Sequence, residues 1–195
     1  DRQQHHGMQF IMGGVRDVAC TATASIFITD DGDLYWCGLR MQQNSMNAQL
    51  CYEPSPVKAL SDVKAVDGGG EHIVALKNDG TVWTMGCAYG GALGNGVTSG
   101  FSPTFIQVFS GADSVSAGCS YTMALKADGT LYGWGSNSCG QLGRDFTTYR
   151  TVSTPVPVMT GVKSVECGYN ITQVIKTDNT LWSMGWNYHG ELGQG

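Results

Sequence analysis

Short apolar runs recur along the chain, each closed by a turn. Ile73-Val74-Ala75-Leu76 leads into Asp79-Gly80 and then Val82-Trp83-Thr84-Met85, and Met123-Ala124-Leu125 leads into Asp128-Gly129 and then Leu131-Tyr132-Gly133-Trp134. Runs this short between turn residues predict strands. Asp-Gly followed by Thr puts residues that tolerate positive φ between two apolar runs, which predicts a hairpin. Asn179 stands where Gly does in the other copies, and Asn enters the left-handed region more readily than most side chains.

The pattern is periodic. The turn Asp31-Gly32 returns as Asp79-Gly80, Asp128-Gly129 and Asp178-Asn179, and the glycine after the aromatic strand returns as Gly38, Gly86, Gly135 and Gly185. Both series step by 48, 49 and 50 residues. Ahead of each turn stands V-x-x-V (Val15 and Val18, Val63 and Val66, Val162 and Val165; Ala112 and Val115 in the third copy), then a small residue: Thr21, Gly69, Gly118, Gly168. After each aromatic strand comes a glycine-rich loop, and then a strand opened by proline: Pro56 to Leu60, Pro103 to Val108, Pro155 to Val158. Each copy thus predicts about four short strands. Such a sheet cannot bury both faces alone, so copies must stack, and four-stranded units repeated radially make a β-propeller.

The expected architecture is all-β: a single domain over residues 1–195, with repeats at about 15–60, 63–108, 112–158 and 162–195. Residues 10–15 align with 157–162, so residues 8–14 read as the last strand of a preceding blade. The chain is then a segment of a longer propeller; a smaller ring closed by the strand around Ile11, or copies assembling between chains through open ends, are the alternatives.

Composition narrows the function. Gly accounts for 28 of 195 residues, about twice the usual share of roughly 7 %. This suits tight turns, not long helices. With net charge −5, only 11 Lys and Arg and no basic run, the chain lacks a footprint for nucleic acid or an anionic membrane. No apolar stretch approaches the roughly 20 residues of a membrane span, and no signal-peptide pattern is read; the start at Asp1 fits a processed or excised chain. The seven Cys are odd in number and contain no C-x-x-C, which argues against zinc and fits a reducing setting.

The stretches VKAVDGG…ALKNDGTVWTMG, SVSAGCSYTMALKADGTLYGWGSNSCGQLG and VKSVECG…IKTDNTLWSMGWNYHGELG resemble the repeats of the regulator of chromosome condensation family. Copy one keeps Asp31-Gly32 and Leu34-Tyr35-Trp36-Cys37-Gly38 but lacks the G-Q-L-G ending. The resemblance implies a propeller, seven-bladed in the family. It also implies a binding role, since relatives include exchange factors for small nuclear GTPases, ubiquitin-ligase regulators and bacterial inhibitors of β-lactamases. These share a scaffold, not a partner.

Individual residues point the same way. His72 is replaced by Ala24, Tyr121 and Ile171 in the other copies, so it reads as a structural hydrogen-bonding residue; in the resembled family this place commonly holds His. Trp36, Trp83, Trp134 and Trp182 read as inter-blade core. Asn137 and Asn187 are expected to bond their own loops, with Ala88 leaving the loop of copy two less pinned. Cys20, Cys37 and Cys167 occupy small apolar slots, while Cys87 and Cys139, near loops, are candidates for reactivity. His5-His6 lies in a polar start expected to fray.

Function is expected where copies differ on loops held by a rigid frame. Those residues are Tyr89, Phe101, Phe146, Tyr149, Arg150, Trp186 and Tyr188, of types favoured as interface anchors, together with the stretches Met41 to Glu53 and Arg144 to Thr154. The reading is a non-catalytic protein-binding scaffold with no cofactor and no metal. The alternatives are a structural or cell-surface repeat segment, and an enzyme with its site at the propeller mouth. The sequence offers little to the last: its Asp residues are mainly turn residues, and GGGEH and GGALGNG lack the Lys-Ser/Thr of a phosphate loop.

Overall fold

The computed structural model describes residues 7–40 and 51–194. Blade 1 comprises β1 (Val15–Cys20), β2 (Ala24–Thr29), β3 (Leu34–Arg40) and β4 (Cys51–Leu60). Blade 2 comprises β5 (Val63–Gly68), β6 (His72–Lys77), β7 (Val82–Cys87) and β8 (Phe101–Phe109). Blade 3 comprises β9 (Ala112–Ala117), β10 (Tyr121–Lys126), β11 (Leu131–Ser136) and β12 (Thr151–Met159). Blade 4 comprises β13 (Val162–Cys167), β14 (Ile171–Lys176) and β15 (Leu181–Gly185). The all-β, partial-propeller architecture is the one expected, and the fourth blade has three strands among the described residues. Residues 8–12 belong to no strand.

The turn chemistry acts as anticipated. Asp79 Oδ1 accepts from the backbone N–H of Thr81 at 2.9 Å and from its hydroxyl at 2.6 Å, and Asp178 does the same for Thr180. Gly80 and Asn179 both lie at positive φ, 80° and 65°. The outer strands run longer than the proline positions suggested: Phe101 already pairs with Cys87, because a register shift between Thr84 and Gly86 lets the ladder continue past the irregularity.

The recurring glycine has a steric cause. Gly86 sits at φ 115°, and a Cβ there would lie 2.5 Å from the carbonyl oxygen of Glu71. That carbonyl accepts the N–H of Cys87 at 2.9 Å. The same bond recurs from Ser136 to Ser120 and from Trp186 to Asn170. The glycine therefore lets the third strand pass against the inner hairpin.

The sheets fan. The first strands pack in succession, β1 on β5, β5 on β9 and β9 on β13. A staircase of backbone bonds joins their hairpins: Ala22 N to Gly70 O, Gly70 N to Cys119 O, Cys119 N to Tyr169 O. Three apolar clusters fill the three gaps between blades. One joins Ile26, Ile28, Leu34 and Trp36 to Val63 and Ile73; the next joins Val74, Leu76 and Val82 to Ala112 and Trp134; the last joins Met123, Leu125 and Leu131 to Val162 and Val174. In the inner blades β6 and β10 are buried on both faces, whereas β2 and β14 of the end blades alternate between more and less buried positions.

The tryptophans divide. Trp36 and Trp134 are buried core. Trp83 and Trp182 stand three residues before the glycine, against two for Trp36 and one for Trp134; they donate through Nε1 to Thr81 and Thr180 and carry Lys77 and Lys176 over their rings, and Trp83 is half-buried against the first cluster. Trp182 is exposed, on a face of blade 4 that no other blade covers among the described residues.

Polar groups bridge the blades one repeat apart. Ala117 N and Ser116 Oγ donate to Asp67 Oδ2, and Cys167 N donates to Ser116 Oγ. His72 Nε2 lies 3.0 Å from Thr122 Oγ1, whose hydroxyl donates to Ala92 O. Thr122 has spent its proton, so Nε2 is the nitrogen that donates. His72 is thus the structural residue expected, and burial pushes its pKa down to about 4.

Two outcomes are expected. Gly86→Ala should lower stability by more than about 2 kcal/mol in urea unfolding, because the added methyl meets backbone in a region of φ that disfavours it; unchanged stability would refute the close approach. The buried neutral His72 ties stability to pH. Unfolded, it takes up a proton from about pH 6.5 downwards, and folded only near 4. This contribution is full above pH 6.5 and is lost as pH falls towards 4, by about 3 kcal/mol at most. His72→Gln should flatten that part of the stability profile; an unchanged slope counts against it.

Candidate binding face

Antiparallel pairing brings two kinds of loop to one end of the sheets. His72 pairs with Gly86, Tyr121 with Gly135 and Ile171 with Gly185. The short inner hairpins at 69–71, 118–120 and 168–170 therefore lie beside the long glycine loops that follow β7, β11 and β15. The Asp-Gly turns lie at the opposite end.

The long loops are built as rigid parts. Asn137 is fully buried: its Nδ2 donates to Arg144 O and Tyr149 O at 3.2 and 2.8 Å, and its Oδ1 accepts Leu142 N at 2.9 Å. Asn187 Oδ1 accepts Leu192 N in the same way. Where Ala88 replaces Asn, the loop is held by backbone instead, from Ala88 N to Gly100 O and Gly90 N to Thr98 O around a 3-10 turn at Tyr89–Gly91. The loops of blades 2 and 3 also reach the next blade. Trp134 Nε1 and Thr122 Oγ1 donate to Ala92 O, and Thr172 Oγ1 donates to Gln141 O.

Connected clefts open on this face. A cavity of about 330 Å³ is lined by residues including Glu71, His72, Cys87, Tyr89, Cys119 and Tyr169. One of about 480 Å³ lies among residues including Tyr89, Ser120, Ser136, Arg150, Tyr169 and Asn170. A third, about 340 Å³, lies among Tyr169, Asn170, Ile171, Trp186 and Glu191. Tyr169 borders all three and is 75 % exposed. No hydrogen bond or ion pair engages the Arg150 side chain among the described residues.

Of the residues singled out by sequence, Tyr89, Arg150 and Trp186 meet on this face. Tyr188 packs against Trp186 at 6.0 Å between ring centroids and against the edge of His189 at 4.9 Å. Phe146 and Tyr149 are exposed on the loop of blade 3, Tyr149 beneath the Arg144 guanidinium at 5.3 Å; neither lines these clefts. Phe101 opens β8 opposite Cys87 and is half-buried. Residues 41–50 of the Met41–Glu53 stretch, and His5-His6, fall outside the described residues. Tyr169, Glu71 and Asn170 were not singled out. Their signal lay in the hairpin itself, where Ala22, Gly70, Cys119 and Tyr169 hold one place and Thr23, Glu71, Ser120 and Asn170 the next.

The thiols need two corrections. Cys87 is buried, and burial raises its pKa, so it is no reactive loop cysteine. Cys20 is exposed, on a face of blade 1 that no described residue covers. Desolvation pushes Cys167 up to about 12, as suits an inert packed thiol. Among the described residues no three His, Cys, Asp or Glu side chains gather as metal ligands.

Family comparison agrees with this frame. Two models, each described as a regulator of chromosome condensation (RCC1) repeat, match the chain, one at residues 79–125 and 128–175, the other at 112–141 and 162–191. Together they cover more than half of it. The chain belongs to the RCC1 repeat family. Among solved structures, this RCC1-repeat chain is similar to yeast RCC1 (Prp20) bound to Kap60, with TM-score 0.75, 21 % identity, and 87 % of this chain and 41 % of that one covered. It is similar to human WBSCR16, with TM-score 0.74, 21 % identity and 89 % and 47 % covered. It is also similar to Prp20p of Saccharomyces cerevisiae, described with its binding properties to Gsp1p and histones, with TM-score 0.74, 20 % identity and 93 % and 46 % covered. The chain spans under half the length of each, and the likeness is one of fold.

One outcome concerns the rigidity of these loops. Asn137→Ala removes three hydrogen bonds from a buried position, leaves backbone groups unpaired, and should cost about 1–3 kcal/mol. Amide exchange at residues 138–150 should accelerate well beyond that at 90–100; equal protection in mutant and wild type would show that Asn137 does not hold the loop.

Proposed function

We propose that this chain is a non-catalytic protein-binding scaffold whose partner docks on the face centred on Tyr169, with Tyr89, Arg150 and Trp186 around it. Phe146, Tyr149 and Tyr188 form the rim of that surface, and Phe101 supports the loop behind Tyr89. The observation that carries the reading is a contrast within one turn: the backbone staircase is the same from blade to blade, while its side chains change from Ala22 to Gly70, Cys119 and Tyr169. Variation on a rigid frame is how binding surfaces are individualised, and large aromatic and Arg side chains are the usual anchors.

Chemistry on the same face supports binding over turnover. His72 is spent on Thr122 and held neutral by burial. Asp79, Asp128 and Asp178 are occupied in turns at the other end. The fold relatives described with Kap60, Gsp1p and histones add protein partners to the precedent.

The test is retention of proteins from a native extract on the immobilised chain. A partner should be kept by wild type and by Lys163→Ala at the turn end, and weakened at least about tenfold by Tyr169→Ala or Arg150→Glu, as for anchors worth more than about 1.4 kcal/mol. Equal retention by face and turn-end variants would move the binding surface elsewhere.

A further inference from the structure

Of the Lys and Arg side chains that are described, every one but Arg150 is engaged within the chain. Lys58 and Lys64 pair with Asp33 and Asp113, while Arg16 and Lys163 donate to backbone and amide oxygens. Lys77, Lys126, Lys176 and Arg144 lie over aromatic rings. The Arg150 guanidinium has no hydrogen bond, ion pair or ring contact among the described residues, so its donors are all free.

The backbone fixes where that guanidinium starts. Arg150 O accepts the N–H of Asn137 at 2.8 Å, and the next residue, Thr151, pairs with Ser136 in the ladder of β11 and β12. Arg150 thus stands on the wall of the cleft of about 480 Å³ that lies between the long loops of blades 2 and 3, inside the fan, and it is the one charged residue lining that cleft among the described residues. The other polar lining includes hydroxyls with protons to give. Ser120 Oγ has no partner better than Cys119 Sγ at 3.9 Å among the described residues, and Ser136 and Ser138 bond each other at 3.2 Å, which uses one of their protons. The floor adds little, because the N–H of Cys119 is committed to Tyr169 O. A fixed cation among free donors, with no acid beside it in the cleft, is built to hold an anion.

Building on the docking face proposed above, we propose that the partner segment which docks around Tyr169 carries a single Asp or Glu side chain into this cleft, where its carboxylate pairs with the Arg150 guanidinium. Charge selects a carboxylate over a phosphate. A phosphorylated side chain bears about −1.5 to −2, and the cleft supplies one cation. The adjoining cleft, which shares Tyr89, Cys119, Ser120 and Tyr169 with it, is lined by Glu71 and by no Lys or Arg among the described residues. A second negative charge would go unpaired and face a like charge nearby. A carboxylate carries one charge and matches the planar fork of Arg. The whole chain, at net charge −5, repels an acidic run, so one acid placed at Arg150 is favoured and a string of them is not.

The probe is a random-peptide phage library selected on the immobilised chain, keeping the peptides whose binding is lost on Tyr169→Ala. These should share an Asp or Glu at a fixed place. Changing that acid to its amide, or Arg150→Gln, should weaken binding at least about tenfold, and both changes together should cost no more than either alone. Lys in place of the peptide's acid should restore binding to Arg150→Glu, which damage to the fold could not produce. Phosphoserine at that place should bind more weakly than the acid; tighter binding overturns the carboxylate. Peptides that depend on Tyr169 but carry no acid, or that bind Arg150→Gln undiminished, overturn the pairing and leave the docking face standing. A library that yields no peptide sensitive to Tyr169→Ala also overturns the pairing, and retention from extract by the same variant then judges the face separately.

Discussion

The constraint on which this structure rests is that a single four-stranded sheet has two apolar faces and can cover neither by itself. Every inner blade is therefore a shared object. Its second strand is buried on both sides, and its side chains belong to two cores at once: Val74 and Leu76 pack towards blade 3, while Ile73 and Ala75 pack towards blade 1. Burial of this kind is the main favourable term in folding, and it accumulates per interface rather than per blade. Polar groups follow the same spacing. Asp67 meets Ala117, Ser116 meets Cys167, His72 meets Thr122 and Tyr121 meets Ile171, each pair about one repeat apart. The period seen in the sequence is thus the distance at which the chain must return to finish an interface.

Whatever depended on backbone chemistry local to one copy could be read in advance. Asp-Gly-Thr gave the hairpins, Asn179 took its left-handed place, and Asn137 bonded its own loop. What depended on position within the stack could not. Trp83 and Trp134 look alike in sequence, but they differ by two residues relative to the glycine, and this places one beneath a lysine near the turn and the other in the core. Cys20 and Cys167 occupy equivalent places and differ in environment because only one has a preceding blade against it. Outer-strand length escaped the reading because a register irregularity between the third and fourth strands, invisible to hydrophobic alternation, carries the ladder past the prolines.

The binding face was legible in part for the same reason. Tyr89, Arg150 and Trp186 stand on loops of visibly different sequence, so variation drew attention to them. Tyr169 stands in a three-residue hairpin whose shape never varies, and the eye passes over a constant element. Its exposure follows from the fan: the residue after the small position always projects near the axis, and in blade 4 it is a tyrosine instead of Gly70 or Cys119. Small residues there leave space and a large one fills it, so the clefts are as much a product of Gly70 and Ala22 as of the aromatics beside them.

Rigidity and variability are therefore not competing demands in this chain, since they fall on different atoms. The backbone of the inner hairpins is committed to the staircase from Ala22 to Tyr169, and the long loops are tied by buried Asn side chains or by carbonyls such as Ala92 O that accept from the next blade. With the backbone fixed from outside its own blade, a change of side chain on the face costs little of the frame. The stability that permits this comes from neighbours, packed on both sides of each inner blade. The three clefts converge on Tyr169 of blade 4, whose side chain can differ because its carbonyl is already committed to Cys119 N of blade 3.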